Sequence, residues 1–300
     1  MIDGIRSPTI FCTLLAALVL LLSGCDTSTS DDADRAAARD NVDAMSREHA
    51  GDSTSASGAA NRAPARAVIS QQFAYTELDN ELVYGYFSAP ADMFEPLPAV
   101  IMIHEWWGLN NNIRAMADRL AAEGYIVLAV DLYGGQVAEN ADEARGLMLQ
   151  VVENPEPAVE NLRAAIDFVT NTAGAPRVAS LGWCFGGGWS LNAAQLFAED
   201  IDASVMFYGQ VTDDEEKLSA ISSPILGLFG ADDTGIKVES VESFAAALQR
   251  LEKNHDVHIY PGVGHAFANP TGNNYDADAA EDAWSRTLQF LTLHLASSVD

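Results

Sequence analysis

The sequence predicts an α/β architecture, a mostly parallel sheet with helices on both faces. Two observations carry this reading. From about residue 67 onward, short apolar runs alternate with longer amphipathic stretches. Several of the runs end in loops rich in Gly, Pro or Asp that present reactive side chains. Phe73 to Tyr75 and Leu82 to Phe87 read as an antiparallel opening pair. Ala99 to His104 is continuously apolar, as a strand buried on both faces requires. A helix over Ile113 to Glu123 stops at Gly124, a C-terminal cap, and strand Tyr125 to Val130 follows. Helical patterns over Ala138 to Val152 and Glu156 to Thr170 precede strand Arg177 to Gly182. Helix Gly187 to Phe197, strand Ala203 to Tyr208 and strand Ile225 to Phe229 come next. Helix Val238 to Leu251, strand Val257 to Tyr260 and helix Ala279 to Leu295 complete the pattern. In such sheets ligands bind beyond the carboxyl ends of the strands.

The first 25 residues read differently. Arg6 precedes an apolar run, Ile10 to Leu22, broken only by Thr13, which ends in Leu22-Ser23-Gly24-Cys25. The run is short for a membrane span and suits a signal-peptide core. Ser23 and Gly24 before the cysteine resemble a bacterial lipobox, which implies cleavage before Cys25, lipid (palmitate) on its thiol, and residence in the cell envelope. Asp26 after the cysteine resembles an inner-membrane retention signal. Residues 26–66 hold almost no large apolar side chains and read as a flexible tether, within which a short helix around Asp34 to His49 would be marginal alone. The folded domain is expected over residues 67–300. Once Cys12 leaves with the signal and Cys25 carries lipid, one thiol is left, Cys184, and no internal disulfide can form.

The net charge of −27 repels nucleic-acid phosphates, so no nucleic-acid partner is expected. That acidity reads as solubility or as adaptation to high salt. Neither metal-ligand spacing, a Walker-type loop nor a dinucleotide fingerprint is present, and Gly186-Gly187-Gly188 lacks the Lys-Ser/Thr of a phosphate loop. No cofactor and no metal are therefore expected.

The chemistry lies in four places. Leu181-Gly182-Trp183-Cys184-Phe185-Gly186-Gly187-Gly188 runs from a buried strand through a glycine-rich turn into a helix, the G-x-C-x-G form of a nucleophile elbow. Side chains at Gly182 and Gly186 would clash in so sharp a turn, and the helix N-terminus favours thiolate. The segment Gly230-Ala231-Asp232-Asp233 follows the next-but-one strand and offers an orienting carboxylate, Asp233, with Asp232 the alternative. The loop Pro261-Gly262-Val263-Gly264-His265 presents one imidazole. The order Cys184, Asp233, His265 is nucleophile, acid, base, as an α/β-hydrolase fold requires. His265 would take the thiol proton and later deliver it, with Asp233 fixing its tautomer. His104-Glu105-Trp106-Trp107-Gly108 ends the first buried strand, and an oxyanion hole would use the backbone N–H groups of Phe185 and Trp106. His49, His255, His258 and His294 have no partners nearby in sequence and read as surface or packing residues.

Glu105-x-x-Gly108, the Asp131-Leu132-Tyr133 strand ending, the Cys184 elbow, Asp233 and His265-Ala266-Phe267 resemble the dienelactone hydrolase family from roughly Val68 to the C-terminus. The resemblance implies a Cys-His-Asp triad in which Glu105 contacts the cysteine and helps to activate it. It also exposes a departure. Two arginines that hold the carboxylate of dienelactone in that family fall on Gly135 and Asn269 here, and neither makes a bidentate, charge-assisted contact. Arg114 and Arg145 are near in sequence, with nothing to place them in the pocket. Trp106, Trp107, Trp183 and Trp189 suggest an aromatic, apolar site. The expected activity is hydrolysis of a neutral ester, lactone or thioester through an acyl-cysteine. Acyl transfer by the same triad and a non-catalytic binding lipoprotein are the alternatives.

Overall fold

The computed structural model describes residues 39–49, 51–52 and 63–296. The expected signal segment, the lipobox-like run with Cys25 and most of the expected tether lie outside the described residues.

A mixed eight-stranded sheet forms the centre: β1 (Val68–Leu78), β2 (Glu81–Pro90), β3 (Ala99–Ile103), β4 (Ile126–Val130), β5 (Val178–Trp183), β6 (Ala203–Phe207), β7 (Ile225–Gly230) and β8 (His255–Tyr260). The spatial order is β1-β2-β4-β3-β5-β6-β7-β8. β2 pairs antiparallel with both β1 and β4, and every pairing from β4 to β8 is parallel. All residues of β3, β4, β5, β6 and β7 are buried. Since side chains alternate between faces, both faces are covered, which is why these strands are unbroken apolar runs.

The helices are α1 (39–48), α2 (Asn111–Ala121), α3 (Ala141–Glu153), α4 (Glu156–Asp167), α5 (Phe185–Leu196), α6 (Glu215–Ser219), α7 (Val238–Arg250) and α8 (Ala277–Leu295). Asn110, Asn140 and Asp276 cap the N-termini of α2, α3 and α8 by accepting from the backbone N–H three residues on. Gly124 adopts φ +107°, which terminates the segment after α2. α4 continues into a π-helical turn, Phe168–Thr172. The sequence pattern locates each strand and long helix; the five-residue α6 carries too little periodicity to be read.

The described part of the expected tether departs from that expectation. Residues 39–48 are helical and pack against the domain, with Val42, Met45 and His49 buried. Ion pairs Arg39–Glu153 and Asp43–Arg145 hold α1 to α3. Asn41 bonds Gln210, Glu48 bonds Thr234, and Asp52 accepts the N–H of Asn273 at 2.8 Å. A helix this short is marginal alone; tertiary contacts to four separate loops and helices keep it.

Candidate active site

β5 delivers Cys184 to a turn with φ 55° and ψ −117°, a conformation that costs a non-glycine residue roughly 1–3 kcal/mol. Its N–H donates to Phe207 O at 3.0 Å, and its carbonyl accepts from Gly188 N at 3.2 Å. The turn is close-packed. A Cβ on Gly182 would lie 2.1 Å from Gly186 O, and one on Gly186 would lie 2.3 Å from Ile103 O. The second contact seats the first turn of α5 on the end of β3. Phe185, at the start of α5, therefore lies near the end of β3, from which the loop carrying Trp106 leaves. Below the turn, Ser180 Oγ bonds Ser190 Oγ at 2.8 Å and Ser204 Oγ at 2.7 Å, tying β5, α5 and β6 together.

Sequence reasoning leaves Asp232 and Asp233 open as the acid, and the geometry separates them. Asp233 is buried and its Oδ2 accepts from His265 Nδ1 at 2.7 Å, while Asp232 is exposed. Oδ1 of Asp233 accepts from the N–H groups of Gly235 at 2.9 Å and Ile236 at 2.7 Å, so the carboxylate is fixed from both sides. The acid and histidine loops are joined by Ala231 N–H to Tyr260 O at 2.8 Å and Asp232 N–H to Val263 O at 2.9 Å. With Nδ1 committed to Asp233, His265 turns Nε2 inward; that nitrogen is buried, with no hydrogen-bond partner among the described residues.

Glu105 is 3 % exposed and receives Asn269 Nδ2 on Oε2 at 3.1 Å. Asn269, one of the positions where an arginine was absent, therefore holds Glu105. Burial is the main reason its carboxyl is pushed up to about 7, with Cys184 and Asp52 adding to this and the two imidazoles opposing it. His104, which sequence reasoning passed over, fixes this loop. Its Nδ1 lies 2.6 Å from Glu105 O and its Nε2 accepts from Leu132 N at 3.1 Å. Burial holds its pKa down, so it serves as a neutral connector. Arg114 bonds Gln72 and Arg145 pairs with Asp43, so both stay away from the nucleophile.

The largest correction concerns His49. Expected at the surface or in packing, it is 1 % exposed and lies against the nucleophile, with Nε2 3.5 Å from Cys184 Sγ. Its Nδ1 is 2.8 Å from Asp52 Oδ2. It stacks on Trp106 at 4.6 Å and meets His265 edge-on at 5.2 Å. Met45 Sδ is 3.6 Å from the same sulfur. The signal was present in the sequence as the spacing Val42, Met45, His49, a helical i, i+3, i+7 stripe. Donor atoms of His49, Cys184 and His265 lie within 4.8 Å of one another, a grouping that a soft cation could bridge and that serves equally as a thiol flanked by two bases. Burial opposes ionisation of the Cys184 thiol, but the charge and proximity of His265, then of His49, outweigh it and bring the thiol down to about 6.

A hollow of about 140 Å³ opens on the sulfur, walled by Met45 of α1, Met148 and Val152 of α3, and Phe185 and Trp189 of α5. A larger groove, about 610 Å³, lies beside the β1–β2 hairpin and does not reach Cys184.

The strand order, with Cys184, Asp233 and His265 brought together from the loops after β5, β7 and β8, places the protein in the α/β-hydrolase class. A crystal structure of a provisionally named dienelactone hydrolase from Klebsiella pneumoniae subsp. pneumoniae superposes with a TM-score of 0.67 at 26% identity, covering 76% of this chain and 99% of that one. Within that class the sequence matches the dienelactone hydrolase family over residues 83–295, and the chain belongs to that family. It is 36% identical over 209 residues to protein usf of Aquifex pyrophilus, covering 66% of this chain and 89% of the relative. It is 31% identical to a Saccharolobus solfataricus protein provisionally named carboxymethylenebutenolidase, covering 72% of this chain and 96% of the relative. The protein is a hydrolase, which implies a small ester as substrate.

Proposed function

We propose that the protein hydrolyses small uncharged esters, lactones or thioesters through an acyl-cysteine on Cys184, with His265 as base and Asp233 as its orienting acid. The observation that carries this is the His265 Nδ1–Asp233 Oδ2 bond of 2.7 Å, which leaves Nε2 unpaired beside the sulfur. The sulfur attacks the acyl carbon, the carbonyl oxygen takes its charge towards the N–H groups of Phe185 and Trp106, and the leaving group departs with a proton from His265. Water, deprotonated by His265, then releases the acid. Glu105 faces this chemistry as a buried carboxyl pushed up to about 7.

The hollow, mostly apolar with the amides of Asn41, Asn192 and Gln210 at its wall and no arginine among its described lining residues, favours an uncharged acyl group. Purified protein should therefore show a higher kcat/KM on uncharged p-nitrophenyl esters than on dienelactone; faster turnover of dienelactone would refute the assignment of substrate charge.

The lipobox-like Leu22-Ser23-Gly24-Cys25 supports an envelope protein held by lipid on Cys25, the inner membrane being favoured. Cys25→Ser should abolish palmitate labelling and move the protein from the detergent phase to the aqueous phase. Unchanged labelling would exclude Cys25 as the attachment point.

A further inference from the structure

We infer that His49, oriented by Asp52, is a second catalytic imidazole: it accepts the proton of the Cys184 thiol, leaving His265 to serve the leaving group and water. The inference deepens the acyl-cysteine reading and rests on it.

Geometry comes first. Each imidazole has its Nδ1 on a buried carboxylate, His49 on Asp52 and His265 on Asp233, so each turns Nε2 inward. A carboxylate on Nδ1 selects the tautomer in which Nε2 is the base. His49 Nε2 sits 3.5 Å from Sγ in hydrogen-bonding geometry, whereas His265 Nε2, within 4.8 Å of the same sulfur, lacks that alignment. The base aligned with the thiol is therefore the one that follows α1.

A packing role would not call for these groups. The side chains of His49 and Asp52 are 0% and 3% exposed. Burying such a pair costs several kcal/mol per ion, and an apolar residue would plug the same space without that penalty. Stacking on Trp106 and the edge contact with His265 hold the ring in place. Burial disfavours charge on His49, but the bond to Asp52 and the neighbouring thiolate outweigh it and raise the imidazole to about 9. Other groups also face the sulfur. Glu105 comes from the loop after β3, Tyr133 from the loop after β4 and Tyr208 from the end of β6, and burial raises all three.

The proton steps balance. The thiol passes its proton to His49 Nε2, and the sulfur bonds to the acyl carbon. The carbon–oxygen bond to the leaving group breaks, and that oxygen takes a proton from protonated His265. Water then gives a proton to His265 Nε2 as its oxygen attacks the thioester carbon. The carbon–sulfur bond breaks, and the sulfur recovers its proton from His49. Protonated His265 at the start agrees with its pKa, which burial lowers but Cys184 and Asp233 raise well above the ordinary value.

The test is the pH dependence of Cys184 alkylation by iodoacetamide in the full-length chain, read beside ester hydrolysis. Wild type should show a midpoint near 6. His49→Phe, which keeps a ring against Trp106 but has no nitrogen, should move the midpoint up by a unit or more, slowing alkylation at low pH by about tenfold or more. The near-isosteric Asp52→Asn should shift it in the same direction and lower kcat more than it raises KM. If both variants, folded by circular dichroism, keep the wild-type midpoint, or if hydrolysis speeds up because α1 merely obstructs the site, the inference falls. Wild-type protein that alkylates at low pH yet cleaves no ester would instead overturn the hydrolase reading of Cys184, a separable result.

Discussion

Cys184→Ala is expected to abolish ester hydrolysis, with kcat/KM falling by about four orders of magnitude or more while the fold persists. Removing the sulfur leaves a small void at a residue that is 2 % exposed, which the surrounding sheet tolerates. What disappears is the only group on the elbow able to bond to an acyl carbon. His265 and His49 would remain beside the site with no nucleophile to serve. Cys184→Ser is the sharper comparison. The thiol is brought down to about 6 by two imidazoles working against burial. An alcohol stays protonated in the same field and depends on proton removal during attack. Serine should therefore fall at least about a hundredfold below wild type. Measuring kcat/KM for the three proteins on one p-nitrophenyl ester decides the matter. A serine variant as fast as wild type would show that the site is not matched to a thiol, and an active alanine variant would remove Cys184 from the mechanism.

The sheet was legible because its central strands are buried on both faces, so that Ala99–Ile103, Ile126–Val130 and Ala203–Phe207 are uninterrupted apolar runs. Cys184 could be singled out because it sits directly after the buried run of β5, and Asp233 because it lies three residues beyond that of β7; His265 stood out through its Pro/Gly loop, since β8 is only partly buried. Three features were not legible. The choice between Asp232 and Asp233 depends on which carboxylate meets an imidazole 32 residues further on, and no local pattern encodes that. His104 acts through a bond to Leu132 across the sheet, invisible from the chemistry of its neighbours. The segment 39–52 is largely polar, the composition of a tether, and among its described residues Val42, Met45, His49 and the side chain of Asp52 turn inward. Its order comes from distant partners, Arg145, Glu153, Gln210, Thr234 and Asn273. Composition reports what a segment can bury by itself, and here the burial is supplied by another part of the chain.

The glycines of the elbow look alike in sequence, yet the structure gives them opposite sensitivities. Gly182→Ala would place a methyl group 2.1 Å from Gly186 O and 2.3 Å from Gly186 C, both backbone atoms with no rotamer to yield. β5 and α5 would have to separate, and both are also pinned by the Ser180–Ser190–Ser204 bonds. Overpacking costs about 1–3 kcal/mol where side chains can adjust and more where they cannot, so a loss of at least about 3 kcal/mol is expected. For a domain of this size that lowers Tm by roughly 6–12 °C. Activity should fall further than stability explains, because any shift of α5 moves the sulfur and the Phe185 N–H together. Gly188→Ala meets only Gln210 Cβ and N at 3.5 Å, ordinary contact, inside a helix where alanine is preferred. It should leave Tm unchanged or raise it by a few degrees. Thermal melts of the two variants side by side check the pair: similar losses would mean that the tight turn is not what constrains Gly182, and an undisturbed Gly182→Ala would mean that the elbow is looser than these distances describe.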